Sequence, residues 1–463
     1  MIYITNGYVI DPKTQFEGYR DILIQEDKIA AMAEQGIPLA ELLRRAGLPE
    51  ERSDEAKAQN DADAAKGQIE RLDAAGQIIA PGLVDVHVHF RDPGFTYKED
   101  IISGAAAAVK GGFTSVVLMA NTKPPVDNRE TLSYILEKGR ETGLHVYTCA
   151  NVTMGMKGQE LVDMEALSRT GAVGFTDDGV PILNEEILRE ALRRAAKLHM
   201  PVSLHEEDPA YITNNGINTG KASAYYGIGG SPREAEISMV ERDIRLAQEE
   251  GADLSIQHIS TKEAVELVRQ AKRKNGHIFA EAAPHHFTLT EEAAIAHGTL
   301  AKMNPPLREE ADRQAVIRGL QDGTIDMIAT DHAPHSAEEK EKTITEAPSG
   351  IIGLETALSL GIRELVEPGY LTMCKLLEKM SLSPAGLYRL DAGYLAEGGP
   401  ADLVVFDKDA VWRVEKEKFA SKAANSPFIG EKMPGVVTCT ICGGKIVYRE
   451  SGAGTLSAPA QRS

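Results

Sequence analysis

Six side chains able to hold a divalent cation recur at one kind of place in this sequence, the ends of short apolar runs. The first run, LVDVHVHF, carries His87 and His89, which strand alternation puts on one face, with Val86 and Val88 pointing the other way toward the helices. Later runs end in Thr176-Asp177-Asp178, in His205 (VSLHEED), in His258 (LSIQHIS) and in Asp331 (IATDHAPH). Four imidazoles and two carboxylates, with either Asp177 or Asp178 as one of them, are enough for two ions that share a bridging carboxylate. Zinc is the expected metal, with manganese or cobalt able to substitute. Such a pair turns water into a strong nucleophile at neutral pH, which is hydrolytic chemistry. His145, His199, His277 and His297 begin strands or lie on or near helices and read as surface or packing residues. His285 and His286 follow the seventh run and are open to a supporting role.

These donors can meet only if the runs lie side by side. From residue 80 to about 360 one unit repeats: a β-branched apolar run, a polar loop, then an amphipathic helical stretch, the βα pattern of a parallel sheet. The runs are 83–90, 115–119, 145–149, 172–175, 202–204, 254–257, 278–282 and 326–328, and eight is the number that closes a TIM barrel. Active sites of that fold lie at the C-terminal mouth, where these donors stand. The stretches 184–199 and 261–274 read as helices with Asn184 and Thr261 as N-caps. The expected fold class is therefore α/β: a (β/α)8 barrel over 80–390, with a small β-sandwich domain from both termini, 1–79 and 391–450. Residues 33–67 read as a surface insertion, partly helical or disordered, and 451–463 as a loose tail.

Composition excludes several classes of function. Lys plus Arg number 50 against 69 Asp plus Glu, a net charge of −19, which repels phosphate backbones and anionic membranes. Neither nucleic acid nor membrane is an expected partner; a small anionic substrate is, since a few converging cations in a pocket outweigh a diffuse surface charge. Four cysteines are too few for a disulfide scaffold, and Cys439-x-x-Cys442 reads as a coincidence within a strand. With no leader pattern at MIYITNGYVID and no long apolar stretch, the expected location is the cytoplasm.

The string Asp85-Val86-His87-Val88-His89-Phe90-Arg91-Asp92-Pro93-Gly94, with Asn121 in MANTKPPVDN, Asn304 in KMNPPLR and Asp331 to His335 in DHAPH, resembles the dihydroorotases of the amidohydrolase superfamily. It is most similar to their longer form with an extra β domain. The resemblance implies His87 and His89 on a first metal, His205 and His258 on a second, and Asp331 as a further ligand and the acid/base. Many relatives bridge the ions with a carboxylated lysine; GFTDDG holds none, so the resemblance implies an aspartate bridge. Asp178 is the better match by its spacing to His205, and Asp177 then faces away. Arg91, Asn121 and His335 match residues that hold the substrate carboxylate, and Asn304 one that contacts the ring. In the loop Ala347-Pro348-Ser349-Gly350, which belongs to the substrate wall, Ser349 stands where relatives commonly have an aromatic.

The implied reaction is reversible opening of the cyclic amide of dihydroorotate, or closure of N-carbamoyl-L-aspartate, in pyrimidine biosynthesis. The implied assembly is a homodimer, and docking on aspartate transcarbamoylase is compatible with activity. Hydantoinase, dihydropyrimidinase or allantoinase would share the metals, but an uncharged ring gives Arg91 nothing to pair with. A non-catalytic scaffold for aspartate transcarbamoylase should lack ligands, and this chain has all six.

Overall fold

Apolar runs that alternate with capped amphipathic helices fold here into a parallel βα array flanked by a sheet drawn from both ends of the chain. The computed structural model describes residues 1–48, 69–274 and 276–450. The strands in chain order are β1 (Ile2–Asp11), β2 (Phe16–Gln25), β3 (Lys28–Glu34), β4 (Glu70–Asp73) and β5 (Ile78–Pro81). Then follow β6 (Leu83–Val88), β7 (Phe113–Leu118), β8 (His145–Thr148), β9 (Val202–Leu204), β10 (Leu254–Ile256), β11 (Ile278–Ala282) and β12 (Met327–Ile328). The last three are β13 (Leu403–Arg413), β14 (Lys432–Cys442) and β15 (Lys445–Arg449).

β6, β7 and β8 pair in parallel, as do β9, β10, β11 and β12. Two links join these groups into a ring. Phe175 bridges in parallel to Ala150 on one side and to Val202 on the other, and Val88 bridges to His332 on the far side. The fourth position of the barrel, at 172–175, is thus filled by backbone with isolated bridges in place of a regular ladder. Gly174 lies there, where an added Cβ would meet the Tyr388 ring at 2.9 Å, so close packing and a residue of low strand propensity coincide. On the outer face, Leu83, Val88, Val116 and Leu118 pack with Ile101, Ala105 and Ala108 of the helix Ile101–Lys110. On the inner face, Val84, Val86, Val117, Met119, Cys149 and Met327 form their own cluster, plugged by Leu387 and Tyr388. Both expected N-caps are made: Asn184 accepts from the backbone of Glu186 and Ile187, and Thr261 from that of Ala264.

The second sheet has the order β15-β14-β13-β5-β1-β2-β3, with β4 also on β1. In a flat sheet, strands three places apart would be at least about 14 Å apart. Arg449 of β15 nevertheless bonds Glu70 of β4 at 2.7 Å, so the sheet curls over itself around Ile4, Ile22, Ile79, Leu403 and Ile441. Register shifts between Ile4 and Gly7 and between Asp407 and Val411 give it the local bends. Within the expected insertion, the helix Leu39–Arg45 packs Leu42 and Leu43 against Leu23 and Ala31. The rest of that insertion from residue 49, and the expected tail 451–463, lie outside the described residues.

Candidate active site

Strict alternation would set Val86 beside Val88 on the helix side, and that expectation needs correction. Val88 does face the helices, whereas Val86 packs inside with Val84 and Met119. The pairing of β6 with β7 shifts register between Asp85 and Val88, and this irregularity resets the alternation so that His87 and His89 both turn inward. Asp85 fixes the distortion: its Oδ1 accepts from His87 N at 3.0 Å, and both its oxygens accept from Thr330 N at 3.2 Å, tying β6 to the segment after β12.

The donors converge. His87 Nε2 lies 3.5 Å from Asp178 Oδ1 and 3.5 Å from Asp331 Oδ1; His89 Nε2 lies 3.1 Å from Asp331 Oδ1 and 3.5 Å from Asp178 Oδ2. His258 Nε2 is 3.8 Å from Asp178 Oδ1 and 3.1 Å from His205 Nδ1. All six residues are at most 6% exposed. Asp177 is held elsewhere, accepting from Asn151 Nδ2 at 3.1 Å, Val152 N at 2.9 Å and the Thr153 hydroxyl. Two ligands of one tetrahedral ion at ordinary bond lengths are about 3.3 Å apart, close to most of these separations. His87 Nε2 is buried without a hydrogen-bond partner, and the facing nitrogens of His205 and His258 would oppose lone pairs unless a proton or cation lay between them. The donor set therefore fits divalent metal, and it falls into two overlapping groups, His87 with His89 and Asp331, and His87 with Asp178 and His258.

Electrostatics follows from this crowding. Burial works against a charged His87, but Glu281, Asp331 and Asp178 outweigh it and raise its pKa well above the usual value. Burial likewise works against a charged Asp178 and Asp331, yet the surrounding imidazoles hold both carboxyls below their ordinary range. Backbone strain also collects here: Arg91, His258 and Asp331 have φ of 58°, 29° and 47°, a region that costs non-glycine residues about 1–3 kcal/mol each.

A cavity of about 330 Å³ opens over the donors, lined by His89, Arg91, Asn121, Asn304, His335 and Ser349 among others. Asn121 Oδ1 meets His89 Nδ1 at 3.0 Å while its Nδ2 donates to Asp178 Oδ2 at 3.0 Å. Asn304 Nδ2 lies 3.2 Å from His205 Nε2. Arg91 donates to Pro334 O at 3.3 Å and makes no ion pair among the described residues. His335 Nε2 donates to Ser349 O at 2.8 Å, and burial together with Arg91 and Lys98 pushes its pKa down. Gly350 adjoins this wall at φ 151°, where an added Cβ would meet Ala333 O at 2.6 Å.

Several groups at the site were not singled out from sequence. Glu281 bonds His87 Nδ1 at 2.6 Å and orients the ring; its signal was an acidic residue inside the apolar strand IFAEA, which demands a buried partner. Lys302 lines the cavity and donates to Ala347 O at 2.7 Å, and Lys340 donates to Pro348 O at 2.9 Å and Gly350 O at 3.1 Å. Burial pulls the Lys340 pKa down to about 7. Its setting, SAEEKEK, reads as solvated surface and carried no signal. His286 Nε2 donates to Pro305 O at 3.0 Å, and buried His285 leaves Nε2 unpartnered, its pKa pushed down to about 4 by burial.

A family model described as "Dihydro-orotase-like" matches residues 76–264. Dihydroorotase of Clostridioides difficile is 50% identical over 448 residues, covering 97% of this chain and 100% of that protein. Dihydroorotase of Clostridium acetobutylicum is 47% identical over 97% of this chain and 100% of its own length. Among solved structures, the L-hydantoinase (dihydropyrimidinase) of Arthrobacter aurescens superposes with a TM-score of 0.81 at 24% identity, over 97% of this chain and 96% of that one. The dihydropyrimidinase of Brevibacillus agri gives 0.78 at 22% identity, over 96% and 95%. At those identities the structural likeness concerns the fold alone, the barrel with its flanking sheet.

Proposed function

The chain belongs to the dihydroorotase family, and from that premise we propose how its residues hydrolyse the ring amide of dihydroorotate and, in reverse, close N-carbamoyl-L-aspartate. The enzyme is a metal-dependent hydrolase of cyclic amides. His87, His89 and Asp331 would hold one ion and His205 and His258 a second, with Asp178 between them; zinc suits these nitrogen and oxygen donors. When bound, such ions lower the pKa of water from 15.7 toward about 7 and polarise a carbonyl oxygen. Asp331 takes the proton of the attacking water on its carboxylate and returns it to the ring nitrogen as the amide bond breaks. Glu281 keeps the His87 ring turned so that Nε2 faces the donors. Asn304 faces the ring, and Arg91, Asn121 and His335 hold the substrate carboxylate. The four free, buried thiols suit a cytoplasmic location.

The observation that carries the substrate is Arg91, a cavity-wall guanidinium with no acidic partner among the described residues, beside the metal donors. A bidentate carboxylate completes it. The test is a comparison of dihydroorotate with dihydrouracil, hydantoin and allantoin on metal-reconstituted protein. Turnover should be confined largely to dihydroorotate; preference for an uncharged ring would replace this reading with a hydantoinase-like one.

A further inference from the structure

At the end of the barrel opposite the active site, three donors of different chemistry meet. His145 opens β8, Asp402 immediately precedes β13 and Cys442 ends β14. His145 Nε2 lies 3.1 Å from Oδ1 and 3.0 Å from Oδ2 of Asp402. Asp402 Oδ1 also accepts from Gly443 N at 2.7 Å, which fixes the carboxylate, and Cys442 Sγ lies 3.4 Å from Thr114 O. One ligand atom from each of the three residues falls within 4.8 Å of the other two, and among the described residues this is the one such group outside the active site. Asp402 and Cys442 are buried at 4% and 3% exposure, while His145 borders a separate cavity of about 340 Å³ that Tyr147, Cys442 and Gly443 also line.

We propose that His145, Asp402 and Cys442 form a further metal site, for a borderline-soft divalent cation such as zinc or cobalt, with a fourth position open to the adjoining cavity. A nitrogen, an oxygen and a sulfur donor make up the ligand chemistry of tetrahedral zinc. The thiolate and carboxylate together neutralise a doubly charged ion, so the two cations at the cavity rim, Arg140 and Lys445, face a neutral cluster. Cys439, the other half of the C-x-x-C pair, packs with Ile4 and Ile22 inside the curled sheet and takes no part. The site has a structural meaning. Its ligands come from a barrel strand, the approach to β13 and the end of β14, so the ion fastens the barrel to the sheet built from both termini. It stands at the N-terminal face of the barrel, where this fold places stability rather than catalysis.

Binding is a proton exchange. In the metal-free protein Asp402 and Cys442 hold the His145 imidazolium up to about 10, and burial raises the Cys442 thiol. The cation takes the place of whatever proton each ligand carries, and that proton leaves to solvent. The groups around His145 that shape this exchange are Asp402, Cys442, Tyr147, Arg140 and Lys445.

The test uses the full-length enzyme exchanged into cobalt(II). The active-site donors include no thiol, so thiolate-to-cobalt charge-transfer absorption in the near ultraviolet reports a cysteine site alone. The expected result is such a band with an extra equivalent of cobalt, lost in Cys442→Ser, while hydrolysis of dihydroorotate is unchanged. His145→Asn should weaken this cobalt at least about 100-fold, since removing even outer-sphere partners costs 10- to 100-fold; it also serves if Cys442→Ser fails to fold. No thiolate band in the cobalt enzyme, a band that survives Cys442→Ser, or one abolished by Cys149→Ser in its place would overturn the proposal and leave a plain His145–Asp402 ion pair.

Discussion

At the scale of single residues, the side chains proposed to hold metal and those proposed to recognise substrate form separate groups, and each group makes its own prediction. Arg91 meets only a backbone carbonyl and His335, so its bidentate face is free for an anion. Truncation to Met should cost about 2–5 kcal/mol for dihydroorotate, the worth of a buried charge pair with one partner removed. At 1.36 kcal/mol per tenfold this is roughly 30- to several-thousand-fold in kcat/KM. Uncharged dihydrouracil should be affected far less, and equal loss on both substrates would remove Arg91 from carboxylate recognition. Asp178→Ala should lose metal and activity together, because Asp178 approaches His87, His89 and His258. Asp177→Ala should retain metal, since its oxygens serve the loop at Asn151 to Thr153. Metal analysis of the two purified variants decides it. The histidines were legible because a rare residue type stood at the ends of apolar runs. Lys302 and Lys340 were not, because a lysine among charged neighbours reads as solvated until the fold shows its ammonium bonded to carbonyls inside.

At the scale of elements, what was legible depended on how strongly local chemistry specifies structure. The caps Asn184 and Thr261 were readable because a short polar side chain before an amphipathic stretch satisfies free backbone donors. The barrel position at 172–175 lacks a regular ladder, and the inward turn of Val86 was hidden, because a bulge breaks the period that makes strands readable. The loop after β10 rests on another element altogether: Glu236, from the helix Arg233–Glu250, accepts from Ser260 N at 3.0 Å, Thr261 N at 2.9 Å and Thr261 Oγ1 at 3.0 Å. That loop carries His258 in its strained conformation. Glu236→Ala leaves those buried donors unsatisfied at about 1–3 kcal/mol each. A lowered denaturation midpoint should come with weaker metal retention, and Glu236→Gln, which keeps one acceptor oxygen, should recover part of both. Unchanged metal affinity in a destabilised Ala variant would show that the loop's support and the site are independent.

At the scale of the whole molecule, the chain has a net charge of −19 and gathers four imidazoles and two carboxylates in one buried place. None of its described helices is long and apolar enough to cross a membrane. Burying six polar donors is costly unless something satisfies them, and the partnerless His87 Nε2 marks where protein alone does not. Metal bound only by the folded state adds stability as RT ln(1 + [L]/Kd), about 2.7 kcal/mol at a free concentration of 100 Kd. The donors come from strands on both sides of the two links at Phe175 and Val88, so that stabilisation acts on closure of the ring as a whole. Thermal unfolding followed by circular dichroism should therefore shift down after exhaustive chelation and return when zinc is restored. Asp178→Asn, which removes the carboxylate that approaches His87, His89 and His258, should unfold at nearly the same temperature with or without chelator. If the unmodified enzyme were equally indifferent to chelation while losing its metal, the cluster would be satisfied by protons and internal hydrogen bonds, and the ions would contribute to chemistry without holding the barrel together.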